Sequence, residues 1–289
     1  MNLFDYTQGQ LLMQLFTLSI ILFTAYFTYK GLNEYEFKHQ YLFHIDGILI
    51  RKEYIRLISS GFLHLDWNHF AFNMLTLYFF GNGLEQELGI STYISFYFLS
   101  LLGGNLLALY FHRQHGDYSA LGASGAVSGI IFACISLYPD MWIRVFFIFP
   151  MPAWIYGIAY TLYTLYGIIS QKDNIGHEAH FGGALVGIIL SIIVYPEIIR
   201  YNLLTVVLIL VPIGVFFYII LKKPHLLIIG NVFGGGGSRS GWKSVDDKYN
   251  ENKKKKQEEL DVLLDKISRK GIEGLSTKER NRLHQLTKD

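Results

Sequence analysis

Residues 121–129 read Leu121-Gly122-Ala123-Ser124-Gly125-Ala126-Val127-Ser128-Gly129, and the run continues uncharged to Tyr138. Gly125 and Gly129 are four apart, so one helix face is bare of side chains and a neighbouring backbone can approach it closely. A second such face is Gly183-x-x-x-Gly187, within His177-Glu178-Ala179-His180-Phe181-Gly182-Gly183-Ala184-Leu185-Val186-Gly187. Ser124 stands one residue before the first pair and His180 three before the second. If the two helices meet through their glycines, serine and histidine come to the same depth. From Ser124 to Tyr138 a helix is only about 22 Å long, at roughly 1.5 Å per residue. A bilayer core is about 30 Å thick. The helix must therefore start below the membrane surface, where irregular backbone is tolerated only if buried or lining a wet cavity. A serine at such a sunken N-terminus, in the positive end of the helix dipole and beside a histidine, is a nucleophile with its base.

The rest of the chain supplies the membrane. Of 289 residues 51% are hydrophobic and only 17% charged, with mean hydropathy +0.29. That balance excludes disorder, a coiled coil and a nucleic-acid-binding chain. Residues 1–221 carry 9 Lys/Arg and 13 Asp/Glu, whereas residues 222–289 carry 16 and 10. A charge-poor membrane part is thus followed by a charged, water-exposed tail. Seven segments approach spanning length: 11–29, 67–84, 93–111, 121–138, 152–170, 179–195 and 203–221. The first has no basic leader or A-x-A end and reads as a retained helix, not a signal peptide. The connection 30–66 is mixed, and fits either short helices lying in the interface or a small extramembrane subdomain.

The expected organisation is an all-α polytopic membrane protein. Residues 1–200 form a six-helix domain, 201–222 a seventh helix, 223–252 a Gly/Ser/Lys-rich linker and 253–289 a short amphipathic helical tail. In the tail, Leu260, Leu263, Leu264 and Ile267 form one helical stripe, and Ser276 with Glu279 has capping-box spacing. The single Cys134 excludes an intrachain disulfide and reads as core packing.

Polar groups in the second segment complete the constellation. His69 and Asn73 are one helical turn apart and share a face. His64 lies five residues before His69, and Gly81-x-x-x-Glu85-x-x-x-Gly89 closes the same segment. His177-Glu178-Ala179-His180 superficially suggests a metalloprotease helix, but its histidines are three apart where that site needs four, and no metal is expected. Asp117 and Glu178 read as loop and rim residues, so no acid completes a triad.

Gly122-Ala123-Ser124-Gly125, Ala179-His180-x-x-Gly183-x-x-x-Gly187 and His69-x-x-x-Asn73 together resemble the GxSG, AHxxGxxxG and HxxxN motifs of rhomboid intramembrane serine proteases. The resemblance covers about residues 10–195, with the segments in the family's order. It implies a Ser124–His180 dyad, with His69, Asn73 and the Ser124 backbone N–H forming an oxyanion hole. It gives Gly122, Gly125, Gly129, Gly183, Gly187, Arg56, His64 and Glu85 structural roles. It implies transmembrane substrates, surrounding lipid, no cofactor, and an integral, multi-pass place in the cell (inner) membrane. The fifth segment, with Trp154, Tyr156, Tyr160, Tyr163 and Tyr166, becomes the lateral gate. Two positions depart from the pattern. A Trp-Arg of the long loop is Ile55-Arg56 here, and an aromatic expected four after the serine, stacked on the catalytic histidine, is Ser128. The orientation of His180 must then depend on other neighbours. The rival reading from another class is a rhomboid-like protein that binds membrane helices without cutting them.

Overall fold

A computed structural model describes residues 15–145, 148–170, 175–222, 259–260, 263–264, 266–267 and 274–286. The expected linker, the Gly234–Ser238 run, the four lysines from Lys253 to Lys256 and residues 1–14 lie outside these. The chain divides into two units, Met1–Phe233 and Gly234–Asp289.

Among the described residues, seven helices have 14 residues or more. They are α1 (Leu15–Asn33), α2 (Trp67–Leu88), α3 (Ile90–His112), α4 (Ser124–Leu137), α5 (Ala153–Ser170), α6 (His177–Val194) and α7 (Leu203–Lys222). By length and composition, α1, α3 and α6 can each cross a membrane. The expected fourth segment starts three residues late, because Leu121 to Ala123 remain non-helical ahead of Ser124.

Helix α4 is the centre of the unit: every residue from Gly125 to Ser136 is buried. It packs against α2, α3, α5 and α6. The α4–α6 seam is glycine on backbone. A methyl group added to Gly183 would collide with the Gly125 carbonyl oxygen, and one on Gly187 with that of Gly129. Helix α3 closes on the same seam, since a Cβ on Gly182 would stand 2.8 Å from the Gly103 carbonyl oxygen. Lipid tails are as apolar as leucine, so close packing of this kind, not hydrophobic exclusion from water, holds such helices together. Three buried hydroxyls are satisfied within their own helices: Ser136 donates to Phe132 O, Thr161 to Gly157 O and Ser191 to Gly187 O, each at 2.8 Å. The lone Cys134 is buried in the same core.

Glu85 ties the far end of α2 to the first described turn of α1. Its carboxylate accepts from Phe16 N and Thr17 N at 2.9 Å each, and from Thr17 Oγ1 at 2.6 Å. The glutamate is 1% exposed, so these charge-assisted bonds replace the water it has lost.

The connection 30–66 is a run of short helices (Tyr35–Tyr41, Ile45–Leu49, Arg56–Ser59) and a 3₁₀ turn (Ser60–Phe62). They close over a small core of their own, Phe43, Ile45, Ile48 and Leu57 with Ala108. Arg56 is its hub, donating Nη1 to His39 O (2.7 Å) and Leu42 O (2.9 Å), and Nε to Glu53 Oε2 (2.6 Å). Those bonds from Arg56, then Arg51, hold the Glu53 carboxyl below the usual carboxylate range. Strand β1 (Phe43–His44) pairs antiparallel with β2 (Ser119–Ala120). The loop is thereby stitched to the segment that leads into Ser124.

The hairpin that follows α4 has no counterpart in the sequence reading, whereas the seventh helix is expected over 201–222. Trp142–Val145 (β3) and Phe149–Pro152 (β4) form a hairpin between α4 and α5. Helix α7 packs on α5 and buries Val206, Ile209 and Ile213. Asn202, just before it, donates to Ser136 O (2.9 Å) and Leu137 O (3.2 Å), closing the open carbonyl end of α4.

In the second unit, helix α8 (Thr277–Leu286) opens with a complete capping box: Glu279 N donates to Ser276 Oγ, and Ser276 N to Glu279 Oε2. Lys266 bonds the same carboxylate at 2.6 Å, and Glu279 is held down at about 2, first by Lys266 and then by Ser276. Arg282 grips Glu259 with two bonds of 2.9 Å.

Candidate active site

Ser124 is the first residue of α4, with Ala123 at the N-cap making no side-chain bond. Its partner segment is set by the glycine seam. A Cβ on Gly125 would stand 3.3 Å from the Ala179 carbonyl oxygen. The residues next to Ser124 and His180 are therefore in van der Waals contact, so the two side chains issue from neighbouring points of α4 and α6. Both are only half-buried, although their flanks Gly125 and Glu178 are buried.

Gly122 is the pivot of the loop before Ser124. Its φ is +134°, a conformation in which a side chain is strained. A Cβ there would lie 2.8 Å from His69 Cε1, 3.0 Å from His69 Nε2 and 3.7 Å from Ser124 Oγ. The His69 imidazole and the Ser124 hydroxyl thus converge on one point. Gly122→Ala is expected both to strain the backbone and to push His69 off that point. Turnover should fall by about 10²-fold, as for a roughly 1 Å misplacement of a catalytic group, read against an unchanged helical circular-dichroism signal.

His64 holds this loop through its tautomer. Ala123 N–H donates to His64 Nε2 at 3.3 Å, so Nε2 is the acceptor and the proton sits on Nδ1. Nδ1 then donates to Thr28 Oγ1 at 3.0 Å, and the threonine hydroxyl donates to Phe62 O at 3.2 Å. Gly122 N adds a bond to Ser60 O at 3.0 Å. The nucleophile loop is in this way fixed to both α1 and the connection 30–66.

His69 and Asn73 lie one turn apart on α2, where Asp66 caps the helix by accepting from His69 N at 2.8 Å. His69 Nδ1 is buried without a hydrogen-bond partner. The Asn73 side chain is buried and gives one N–H to His69 O at 3.0 Å, which leaves its second N–H.

Glu178 differs from its reading as a rim residue. It is 5% exposed, its carboxylate is 3.4 Å from His112 Nε2, and the His112 ring stacks on Tyr118 at 3.6 Å. Its partner, His112, is the last residue of α3. Among the described residues, no three His, Cys, Asp or Glu side chains are grouped to hold a metal ion. The neighbours of His180 could not be found from the sequence. Its ring lies 6.3 Å from that of Tyr160 on α5 and 6.2 Å from that of His177. Ser128, in the position expected to be aromatic, has its hydroxyl 2.7 Å from the Tyr160 hydroxyl.

A chain of packed helices with a serine at the start of one helix and a histidine on the adjoining glycine face fits a multi-pass membrane protein of rhomboid type. The Rhomboid domain model matches residues 51–197, and the chain belongs to the rhomboid family. Residues 243–289 match a separate family of unknown function (DUF6576). The chain is 32% identical to Rhomboid protein 1, mitochondrial, of Saccharomyces cerevisiae over 49% of its own length and 43% of that protein's. It is 33% identical to RHOMBOID-like protein 12, mitochondrial, of Arabidopsis thaliana, over 46% and 44% of the two chains. To Rhomboid protease AarA of Providencia stuartii it is 28% identical, over 58% and 67%. The match thus spans less than half the length of the yeast and Arabidopsis relatives.

Proposed function

We propose that this chain is an intramembrane serine endopeptidase that cuts transmembrane segments of other proteins. Ser124 is the nucleophile and His180 the general base. The Ser124 Oγ–H proton passes to His180 as Oγ bonds to the carbonyl carbon, and the oxygen becomes an oxyanion facing His69, Asn73 and the Ser124 N–H. When the C–N bond breaks, His180 returns the proton to the leaving amine. Water, deprotonated by the same histidine, then hydrolyses the acyl ester. Gly122, His64, Arg56 and Glu85 hold the frame, and Gly125, Gly129, Gly183 and Gly187 hold the α4–α6 seam.

The observation that carries this reading is the convergence of Ser124 Oγ and the His69 ring on the Cβ position of Gly122, beside the contact of Gly125 with Ala179. Family membership supports it, as does the protease named among the relatives. Six helices form the core of the membrane domain and α7 is a seventh span. α5 serves as the lateral entrance for substrate, and lipid surrounds the bundle. We place it in a cell's inner membrane, although two of the relatives are named mitochondrial.

Purified protein in liposomes, given a fluorescent single-span substrate, should release two fragments at a rate unaffected by a chelator. Stable capture of the substrate with no fragments would favour a non-catalytic helix-binding protein. Loss of cleavage on chelation would favour a metal.

A further inference from the structure

We infer that Tyr160 on α5, held by Ser128 on α4, is the positioning residue for the His180 imidazole; this rests on the dyad proposed above. The Tyr160 ring lies 6.3 Å from the His180 ring at an interplanar angle of 32°, within the range of favourable aromatic pairs. On its other flank the imidazole meets His177 edge-on, at 6.2 Å and 69°. Tyr163, one turn along α5, packs edge-on to His177 at 5.1 Å. Two tyrosines of α5 thus support two histidines of α6.

What fixes Tyr160 is its hydroxyl, 2.7 Å from Ser128 Oγ. Ser128 is 1% exposed and stands one turn below Ser124 on the nucleophile helix. The Phe132 ring, a further turn down, packs edge-on to Tyr160 at 5.5 Å. One side chain from α5 therefore joins α4, which carries the serine, to α6, which carries the histidine. A hydrogen bond in such dry surroundings is well directed, and its loss leaves a buried hydroxyl unpaired. The ring limits the swing of the imidazole, and the bond limits the swing of the ring.

This predicts a graded pattern in turnover. Tyr160→Leu removes both ring and hydroxyl, and kcat for the single-span substrate should fall by about tenfold or more with KM within about twofold, since a displaced base costs up to about 10² in rate. Tyr160→Phe keeps the ring and should recover most of that loss, leaving about two- to threefold. Ser128→Ala should match Tyr160→Phe. The double variant should be no worse than either single, because both remove one bond. A risen KM at unchanged kcat for Tyr160→Leu would make Tyr160 a substrate contact and overturn the inference. So would independent, multiplying losses in the double variant, or kcat equal to wild type in Tyr160→Leu. If Tyr160→Leu does not fold, the Phe and Ala pair decides alone by the same comparison. Wild-type protein that cuts nothing would overturn the dyad reading and this inference together, whereas active wild type with an unaffected Tyr160→Leu would overturn this one only.

Discussion

Ser124→Ala and His180→Ala are each expected to take cleavage of a single-span substrate down to background while the protein stays folded. Without the hydroxyl there is no acyl-enzyme route at all. Without the imidazole the hydroxyl keeps its proton and the leaving amine receives none, a loss of about 10²–10⁴ from general acid–base catalysis alone. Stability should hardly change for Ser124→Ala. Ser124 is not the N-cap of α4, whose place is fixed by backbone contacts of Gly125 and Gly129 and not by this hydroxyl. A substitution free of such features costs within about 0.5 kcal/mol. His180→Ala gives up ring contacts to Tyr160 and His177, worth about 1 kcal/mol. Turnover and the melting transition, measured on the same preparations, separate chemistry from folding.

The second large effect concerns the oxyanion. Attack on an amide puts negative charge on the former carbonyl oxygen in a site of low dielectric. Donors fixed in advance are worth far more there than in water, and removing one costs about 10²–10³ in rate. His69 Nε2 already lies beside the Gly122 pivot, and Asn73 has one N–H uncommitted by its bond to His69 O. His69→Ala and Asn73→Ala should each lower kcat by about that factor. If the pair only glues helices together, the outcome inverts: about 0.6 kcal/mol of lost stability and turnover nearly intact. Asn73→Ala is the sharper of the two, because its visible bond is within its own helix.

The helices and the α4–α6 seam were legible because their signals are local. A run of apolar residues gives the span, and glycines four apart give a bare face. Gly125/Gly129 and Gly183/Gly187 therefore offered two bare faces that could meet, and the structure pairs them. The short length of α4 was legible for the same reason, although its start at Ser124, not Leu121, depends on the positive φ of Gly122. What stayed hidden comes from residues far apart in the chain. The Thr28–His64–Ala123 relay joins three segments, and nothing near Thr28 marks it. Tyr160 looked like one tyrosine among several on α5, and only the approach of Ser128 and His180 singles it out. Glu178 resembled a rim residue because an acid beside a histidine at a helix start is ordinarily solvated, and here His112 from α3 covers it. The β3–β4 hairpin has a proline-containing apolar sequence with no clean alternation, so its pairing could not be read from pattern.

The dyad is tested most directly by a fluorophosphonate, which reacts only with a serine whose proton a neighbouring base can take. Full-length protein in liposomes should carry one adduct, and fragment mass spectrometry should place it on Ser124. His180→Ala should abolish the adduct although the serine is still present. An adduct on Ser128 or another hydroxyl, or equal labelling of Ser124 with and without His180, would contradict the account.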